Sequence, residues 1–413
     1  MNATYNIDIN RLKNDILSLS KIGYDEDTHG VTRQGLSRED YDGRLWFMEQ
    51  CRAVGLEPYM DGACNVICRY GAPNKPAIVL GSHLDSVPNG GMFDGTLGVL
   101  AGLECIRTIK DQNITIDTPI EVIGFSEEEG RFGGMFGVQS MCGLIDRDWI
   151  ESVTDINGIY LKDEMKALGL DPMDALNAYR EPHTIKAFLE IHIEQGPVLD
   201  NANISIGIVE GITGVFDWTV RLIGEPNHSG TTPMDQRKDA FLGLCDFAHE
   251  FPRIISEDGS DISRLTIGKA EVYPGFCHIV PGAVEFSLSG RDLKPEILNN
   301  LGQSCRKVLS SIAREKGLMF EYDENSWLEP KQCSTKMCDI IEETCKALDF
   351  SYKRMPSGAG HDTQFMCDVT EAGLIFVPSV GGISHSPKEW TNWRDIEKGV
   401  NVLLNTTLKL ATA

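Results

Sequence analysis

Four short apolar runs of this 413-residue sequence each lead into side chains that can bind a metal ion or move a proton. The runs do not alternate with polar residues, which is typical of buried strands in a parallel sheet. Because ligands collect at the carboxyl ends of strands in an open α/β sheet, we expect these side chains to meet at one edge. The runs and their side chains are Ala77–Leu80 with His83, Asp85 and Asp94; Ile120–Phe125 with Glu127, Glu128 and Glu129; Phe188–Ile193 with His192 and Glu194; and Leu374–Val377 with His385.

Each of these residues also has an ordinary structural explanation. His83 alone is more often a surface or core residue than a ligand, and Asp94 alone suits the N-cap of a helix predicted over Gly95–Lys110. The three glutamates could form a solvated acidic turn, His192 could be a hydrogen-bonded core imidazole, and His385 could be a loop residue. A single metal site explains all of them together, whereas the separate explanations must all hold at the strand ends of one sheet.

Mixed histidine and carboxylate ligands suit borderline divalent metals, with Zn²⁺ as the first choice and Mn²⁺, Co²⁺ or Ni²⁺ as alternatives. Three histidines and two carboxylates exceed the needs of one four-coordinate ion that keeps a position open for water. The set therefore favours two ions ~3.5–4 Å apart that share a carboxylate and a water, which generate hydroxide near neutral pH. A further carboxylate beside them could take and return the water proton.

The rest of the chain indicates how these residues are positioned. At 413 residues it exceeds the ~250–300 residues at which single cores stop growing, so we expect two domains. Helical stripes over Gly95–Lys110 and Ser334–Leu348 predict an α/β fold with a mostly parallel sheet covered by helices. We therefore predict a catalytic di-metal domain of residues 1–212 and 328–413, with residues 213–327 inserted.

The inserted stretch follows a β-α-β-β-α-β order, which is typical of a small ferredoxin-like α+β domain. The apolar runs of the main sheet resume only after it, which indicates an insertion. Its predicted elements are the strand Phe216–Ile223, the helix Asp239–Phe251, the strands Leu265–Val272 and Ala283–Leu288, the helix Pro295–Lys316 and the strand Leu318–Tyr322.

Composition limits the class of protein. A total of 38 Lys and Arg against 61 Asp and Glu gives a net charge of −23, so nucleic acid and anionic membrane surfaces are poor partners. No apolar run approaches the ~20 residues that span a bilayer, and the first residues are predicted as a helix rather than a signal peptide. The 12 cysteines show no CxxC spacing, which indicates a reducing compartment and argues against a thiol-redox or metal-storage role. We expect a cytoplasmic protein.

Five segments extend the pattern beyond single residues. They read GSHLDSVPNGGMFDG at residues 81–95, EEG at 128–130, HIEQGP at 192–197, SGAGHD at 357–362 and SHSP at 384–387. Together they resemble the carbamoylase branch of the M20 metallopeptidase family, which contains N-carbamoyl-L-amino-acid hydrolases, allantoate amidohydrolases and β-ureidopropionases. The resemblance runs from the GVTR segment near residue 30 to the C-terminus.

The resemblance implies two divalent ions per subunit, a general base and a set of substrate ligands. It also implies that the inserted domain forms a homodimer and closes as a lid, with some substrate ligands supplied by the partner subunit. The implied metal ligands are His83 and His192 on one ion, Glu129 and His385 on the other, and Asp94 between them; Glu128 is the implied base, and Asp85 orients His83. The implied substrate ligands are Gln195, His228, His278, His361 and Arg291, which grips a carboxylate.

Two departures from the branch leave alternatives open. Gly130 directly precedes Arg131-Phe132, where the branch has one more residue, so Glu127 and Glu128 could instead be base and ligand. His278 stands where the branch usually has asparagine, which leaves the role of that position open.

We therefore predict a metal-dependent amidohydrolase that cleaves the carbamoyl C–N bond of N-carbamoyl-L-amino acids or a related ureido acid. Its products would be the amino acid, ammonia and CO₂. Allantoate amidohydrolase and β-ureidopropionase are the nearest alternatives. Further alternatives are an N-acyl-amino-acid deacylase or dipeptidase, and a non-catalytic metal-containing binding protein on the same scaffold.

Overall fold

The computed structural model describes residues 4–412 of the chain. It divides into two compact units. Unit 1 consists of the residues up to Glu210 together with those from Gln332 onward, and unit 2 consists of Gly211–Lys331. The sequence predicts the inserted segment over residues 213–327, so each boundary differs from the expected one by a few residues. Each unit is described below by itself.

The strands and helices of the described chain are as follows. The strands are β1 (Tyr59–Met60), β2 (Val66–Tyr70), β3 (Ala77–His83), β4 (Ile120–Phe125), β5 (Ile185–Ile193), β6 (Ile206–Ile212), β7 (Gly214–Ile223), β8 (Asn227–His228), β9 (Arg264–Thr266), β10 (Ala270–Tyr273), β11 (Ile279–Val280), β12 (Ala283–Asp292), β13 (Met319–Leu328), β14 (Lys331–Gln332), β15 (Tyr352–Ser357) and β16 (Ala372–Val377). The α-helices are α1 (Ile9–Leu19), α2 (Arg38–Ala53), α3 (Thr96–Asp111), α4 (Phe136–Met141), α5 (Arg147–Ser152), α6 (Leu161–Ala167), α7 (Val198–Ala202), α8 (Ala240–His249), α9 (Phe251–Asp258), α10 (Pro295–Lys316), α11 (Thr335–Ala347), α12 (Thr363–Met366) and α13 (Trp393–Ala411).

Unit 1 is built on a mixed sheet with the strand order β1-β2-β4-β3-β5-β16-β6-β14, and β15 pairs with β6. The four central strands β4, β3, β5 and β16 run parallel, while β2 and β6 join them antiparallel. All residues of β3, β4 and β16 are buried, and helices α3 and α13 pack against this central part. The predicted α/β fold class is confirmed. Because the central strands are parallel, their carboxyl ends lie at one edge of the sheet.

A buried arginine fixes the carboxyl end of β4. Nη1 of Arg44 donates hydrogen bonds to the carbonyl oxygens of Gly124 and Phe125 at 3.1 and 3.0 Å. Nη2 of Arg44 forms an ion pair with Oδ1 of Asp40 at 2.9 Å, and both side chains are buried. The backbone that leads into the three glutamates is therefore anchored from helix α2.

Replacing Arg44 with methionine should lower the free energy of unfolding by about 3–5 kcal/mol, because the Asp40 carboxylate would stay buried without its cation. Urea denaturation followed by circular dichroism measures this change. Arg38→Met is the matched control, because Arg38 pairs with Asp42 on the exposed face of the same helix, where the two side chains are 70% and 41% exposed. The control should change stability by less than about 1 kcal/mol. Equal small changes in both variants would contradict the anchoring role.

Unit 2 contains an antiparallel sheet with the order β10-β12-β7-β13, and β9 also pairs with β12. Helices α8 and α10 pack on this sheet, and the main strands and helices follow the β-α-β-β-α-β order. The core is apolar and rich in aromatic rings. Its largest buried side chains are Phe216, Trp218, Phe247 and Phe286.

In unit 2, one predicted helix ends earlier than expected and one predicted strand is interrupted. The helix predicted over Asp239–Phe251 ends at His249, and a second helix, α9, starts at Phe251 because Pro252 lacks the N–H that a continuous helix requires. The strand predicted over Leu265–Val272 is split into β9 and β10. Between them, the N–H groups of Gly268 and Lys269 donate to the Ser287 hydroxyl.

None of the helices between residues 4 and 412 combines the length and the apolar character that a membrane-crossing helix needs.

Candidate metal centre

The carboxyl edge of the sheet in unit 1 gathers the predicted metal ligands. His83 is the last residue of β3, His192 lies in β5, the glutamates follow β4, and His385 follows β16. Among the described residues, several groups of possible ligands have atoms within 4.8 Å of one another. They include His83, Asp94 and His192; His83, Glu128 and Glu129; and Asp94, Glu129 and His385.

Asp94 lies at the middle of this cluster. Its Oδ1 is 3.1 Å from Nε2 of His192 and 3.6 Å from Nε2 of His83, whereas its Oδ2 is 3.3 Å from Nε2 of His385. Burial opposes ionisation, but the neighbouring imidazoles, His192 foremost, hold the pKa of Asp94 well below its usual range. The two carboxylate oxygens therefore face two different sets of imidazoles, as a bridging carboxylate must.

Asp94 does not act as a helix cap. The N-cap of α3 is Gly95, and no side chain caps the helix. Gly95 has φ +65°, a left-handed conformation that favours glycine, and an added Cβ would collide with the His83 ring. The N-cap explanation that sequence allowed for Asp94 is therefore wrong, and its carboxylate is free to face the histidines.

The imidazole rings of His83 and His192 are oriented by backbone oxygens. Nδ1 of His83 is 3.1 Å from the carbonyl oxygen of Asp85, and Nδ1 of His192 is 2.8 Å from that of Ile193. A carbonyl oxygen only accepts, so each Nδ1 carries a proton, and the neutral form of each ring has its lone pair on Nε2, the nitrogen nearest Asp94. This tautomer is the one that a metal ligand requires.

The Asp85 carboxylate contacts the glutamate loop rather than the His83 ring. Its Oδ1 is 3.8 Å from Nδ1 of His83, which is beyond hydrogen-bond distance. Instead, Oδ1 and Oδ2 accept the backbone N–H groups of Glu128 and Glu129 at 3.2 and 3.1 Å. Asp85 thus orients His83 through its backbone oxygen and holds the glutamate loop with its side chain.

The three consecutive glutamates point in different directions. Oε2 of Glu128 is 3.6 Å from Nε2 of His83, and Oε2 of Glu129 is 3.4 Å from Nε2 of His385. Glu127 turns away from the cluster, because its Oε1 accepts the N–H of Phe132 at 2.6 Å. Burial raises the pKa of Glu127 to about 8 and that of Glu129 to about 7. The geometry favours Glu128 and Glu129 over the alternative pair Glu127 and Glu128.

Gln195 and His361 lie beside the cluster in unit 1. Nε2 of Gln195 donates to Oδ2 of Asp94 at 2.8 Å, and its buried Oε1 has no hydrogen-bond partner among the described residues. The His361 ring packs edge-on against His192 with ring centroids 4.5 Å apart. Burial, followed by the neighbouring His192 charge, holds the pKa of His361 well below its usual range.

The other predicted substrate ligands belong to unit 2. His228 in β8 pairs with Ile279 in β11, so it lies next to His278 on a two-stranded ribbon. The carbonyl oxygen of His278 accepts the N–H of Ser229. Arg291 lies in β12, because the strand predicted over Ala283–Leu288 continues to Asp292. The part these three residues play toward the cluster of unit 1 stays a prediction.

Glu194 acts as a local support rather than as a member of the cluster. Its two carboxylate oxygens accept the N–H groups of Val198 and Leu199, both at 2.8 Å, at the start of α7. The HIEQGP segment therefore contributes His192 and Gln195 to the cluster, while Glu194 shapes the turn between them and α7.

Sequence reasoning missed three buried acids near the cluster. Glu190 accepts hydrogen bonds from the Ser82 hydroxyl and from Thr363. A charged residue within an apolar run was the sequence feature that could have identified it. Both carboxylate oxygens of Asp362 are buried without a hydrogen-bond partner among the described residues. Glu389 follows His385 by four residues, and no sequence pattern around it indicated a role near the cluster.

The residues present fit a pair of divalent ions. Buried Glu129 Oε1 lacks a hydrogen-bond partner within residues 4–412, and two imidazoles are held with Nε2 directed at the central carboxylate. Nitrogen and oxygen donors of this kind suit Zn²⁺ and neighbouring divalent metals.

Metal binding to the metal-free protein should become tighter as pH rises between about 6 and about 9. The hydrogen bond that His385 donates to Asp94, aided by the charge of Glu129, raises the pKa of His385 to about 9. His385 is therefore protonated at neutral pH, and an ion must displace that proton. Isothermal titration calorimetry in buffers of different ionisation enthalpy measures the protons released. Binding without proton release at about pH 7 would show that His385 is not a ligand.

The mixed α/β sheet, with histidines and carboxylates at the carboxyl edge of its parallel strands, fits a metal-dependent hydrolase. Residues 79–409 match the profile of the family described as peptidase family M20/M25/M40, and the chain belongs to this family. The membership and the hydrolase class predicted from the sequence motifs are confirmed.

Curated relatives and solved structures are similar over nearly the whole chain. An N-carbamoyl-L-amino-acid amidohydrolase of Pseudomonas sp. (strain NS671) is 38% identical over 412 residues, covering 98% of this chain and 99% of the relative. An allantoate amidohydrolase of Bacillus subtilis (strain 168) is 36% identical, covering 92% and 93%. The crystal structure of a hydantoinase/carbamoylase family amidase from Burkholderia multivorans has a TM-score of 0.91 at 31% identity and covers 99% of both chains.

Proposed function

We propose that this protein is a metal-dependent amidohydrolase that cleaves the carbamoyl C–N bond of N-carbamoyl-L-amino acids. The products are the amino acid, ammonia and CO₂. The observation that carries the proposal is the central position of Asp94, whose two carboxylate oxygens face different imidazoles beside Glu128 and Glu129. A relative that covers 98% of the chain is named for this substrate class. Allantoate is the second candidate, because a relative at 36% identity is named for it.

Two divalent ions are the proposed cofactors, with Zn²⁺ as the first choice and Mn²⁺, Co²⁺ or Ni²⁺ as alternatives. When bound, such a pair lowers the pKa of water and polarises a carbonyl group. The proposed ligands are His83 and His192 for one ion, Glu129 and His385 for the other, and Asp94 for both. Gln195 holds Oδ2 of Asp94 in place from the side of His385.

Glu128 is the proposed general base. Its carboxylate lies beside His83 at the edge of the cluster, and Asp85 fixes its backbone N–H. Burial raises the pKa of Glu128 well above its usual range, although the neighbouring His83 opposes this effect. A carboxylate with a raised pKa can accept a proton from the attacking water and then donate it to the leaving nitrogen.

The proposed substrate ligands supply complementary polar groups. Arg291 would bind the substrate carboxylate, since a guanidinium and a carboxylate can form two parallel hydrogen bonds. Oε1 of Gln195 is a buried acceptor without a partner among the described residues, so it could accept a ureido N–H. His228, His278 and His361 complete the proposed set.

Two further proposals concern assembly and location. We propose a homodimer formed through unit 2, where β13 is the terminal strand of the sheet and exposes Met319 and Trp327 by 65% and 44%. Light scattering during size-exclusion chromatography tests the dimer. A cytoplasmic location is supported by the 12 cysteines, all of which are free thiols.

A substrate panel with purified, metal-loaded protein tests the function. It contains N-carbamoyl-L-amino acids, their D-enantiomers, N-carbamoyl-β-alanine, allantoate, N-acetyl-L-amino acids and dipeptides, and ammonia or amine release is measured. We expect the highest kcat/KM on an N-carbamoyl-L-amino acid, and no activity after removal of the metal with a chelator. A higher value on allantoate would select the second candidate. Faster hydrolysis of acyl or peptide bonds, or no turnover at all, would refute the proposal.

A further inference from the structure

Glu389 connects two ligand-bearing segments that are far apart in the chain. It lies on the loop between β16 and α13, four residues after His385, and it is buried with 3% exposure. Its Oε1 accepts the backbone N–H groups of Phe93 and Asp94 at 2.9 and 3.2 Å. Its Oε2 is 3.0 Å from the hydroxyl of Ser384, which precedes His385. One carboxylate therefore holds the loop of the central ligand against the loop of the last ligand.

The side chain of Glu389 reaches the Asp94 carboxylate through Ser384, and this contact involves only one of the two Asp94 oxygens. The Ser384 hydroxyl is 3.0 Å from Oδ2 of Asp94, which is the oxygen that faces His385. Oδ1 of Asp94 faces His83 and His192, whose rings are oriented independently by backbone oxygens. Loss of the Glu389 contacts should consequently disturb the His385 side more than the opposite side.

The packing around Glu389 leaves little freedom for this carboxyl group. A Cβ added to Gly91 would collide with it, so the chain has a glycine where the carboxyl group lies. Phe93 packs edge-on against Trp390 and Trp393 with ring centroids 5.6 and 5.3 Å apart. The segment that carries Asp94 and the segment that carries Glu389 are thus locked by both apolar packing and hydrogen bonds.

We propose that Glu389 is a positioning residue that aligns Asp94 and His385 for one of the two ions, the ion held by Glu129 and His385. This inference rests on the two-ion site of the proposed function. It adds that the two ions differ in their dependence on the surrounding structure, because the contact of Glu389 through Ser384 reaches only Oδ2 of Asp94, the oxygen that faces His385.

The variants Glu389→Gln and Glu389→Ala differ in the hydrogen bonds that they can keep. Ser384 has a single O–H and lies between two carboxylates, so it can donate to only one of them. In Glu389→Gln, the amide oxygen can accept the two backbone N–H groups, and the amide N–H₂ can donate to Ser384, whose proton is then directed to Asp94. Glu389→Ala removes the contacts of this side chain with the two backbone N–H groups and with Ser384.

The test is a titration of metal-free protein with Co²⁺, followed by visible absorption of the bound ion, with metal content measured by mass spectrometry. We expect wild-type protein to bind two ions. Glu389→Ala should keep one ion with near wild-type affinity and bind the other about 10- to 100-fold more weakly. Glu389→Gln should restore two-ion binding to within about threefold of wild type. Lys388→Ala, an exposed neighbour on the same loop, is the control and should behave as wild type.

The outcomes separate this inference from the proposed function. Wild-type protein that binds fewer than two ions overturns the two-ion site and the inference with it. Wild-type binding of two ions, together with unchanged affinity for both in Glu389→Ala, overturns the inference alone. Equal weakening of both ions, or failure of Glu389→Gln to restore binding, also overturns it. If Glu389→Ala does not fold, Ser384→Ala provides the test, because it removes only the hydroxyl; full two-ion affinity in that variant contradicts the proposal.

Discussion

Glu128→Gln is expected to lower kcat on the best substrate by about three to four orders of magnitude, which is the upper part of the range for a general acid–base group. The amide cannot accept a proton from water or return one to the leaving nitrogen. Metal content should stay at the wild-type level, because in the structure Glu129, rather than Glu128, faces His385 and Asp94. Steady-state kinetics and metal analysis on the same preparation measure both effects.

Glu127→Gln is the matched control for this experiment. Glu127 is adjacent in the chain and also buried, but its carboxylate accepts the N–H of Phe132 and points away from the cluster. We expect kcat to change by less than about tenfold, which is below the usual contribution of a general base. If Glu127→Gln abolishes turnover while Glu128→Gln does not, Glu127 is the base and Glu128 becomes a metal ligand, the alternative that the sequence left open.

Asp94→Asn is expected to have the largest effect of any single substitution. An asparagine keeps the size of the side chain, but its neutral amide cannot bridge two cations or balance the three imidazoles that face it. Metal content should fall from two ions to one or fewer per chain, and activity should fall by at least about four orders of magnitude, since both the polarising ions and the activated water depend on the site.

Asp111→Asn serves as the control for Asp94→Asn. Asp111 is at the other end of α3 and pairs with Arg11, with a side chain that is 61% exposed. Metal content and kcat should match those of wild type. Full metal content in Asp94→Asn would refute the bridging role, and with it the two-ion site on which the proposed reaction depends.

The central strands of unit 1 could be predicted from sequence because their burial leaves a local trace. The apolar run over Ile120–Phe125 corresponds to β4 without any shift, and the run that begins at Ala77 extends as far as His83, so that His83 ends the strand itself. Helix α10 was predicted with its observed bounds, because Pro295 starts it and Gly317, at φ +64°, ends it. Strand and helix signals of this kind depend on a few neighbouring residues.

One predicted helix and one predicted strand of unit 2 have the wrong bounds, because the hydrogen bonding of a few backbone N–H groups determines where these elements end. The predicted helix over Asp239–Phe251 ends at His249 and a separate helix, α9, starts next to Pro252, and the Ser287 hydroxyl takes the N–H groups of Gly268 and Lys269 that a continuous strand would have used in the sheet. The helix boundary could be predicted from the proline, whereas the break in the strand depends on Ser287, which is 18 residues from Lys269 in the chain.

The sequence by itself determined which residue types reach the carboxyl edge of the sheet and which family the chain belongs to, because strand ends and motif spacing are local properties. Only the tertiary structure decided what each side chain does there. The direction of Glu127 follows from its contact with Phe132, Asp85 holds the glutamate loop with its carboxylate, and Glu389 reaches the backbone of Asp94 across 295 residues of chain. Such assignments depend on distances between segments that fold together, and no local pattern contains them.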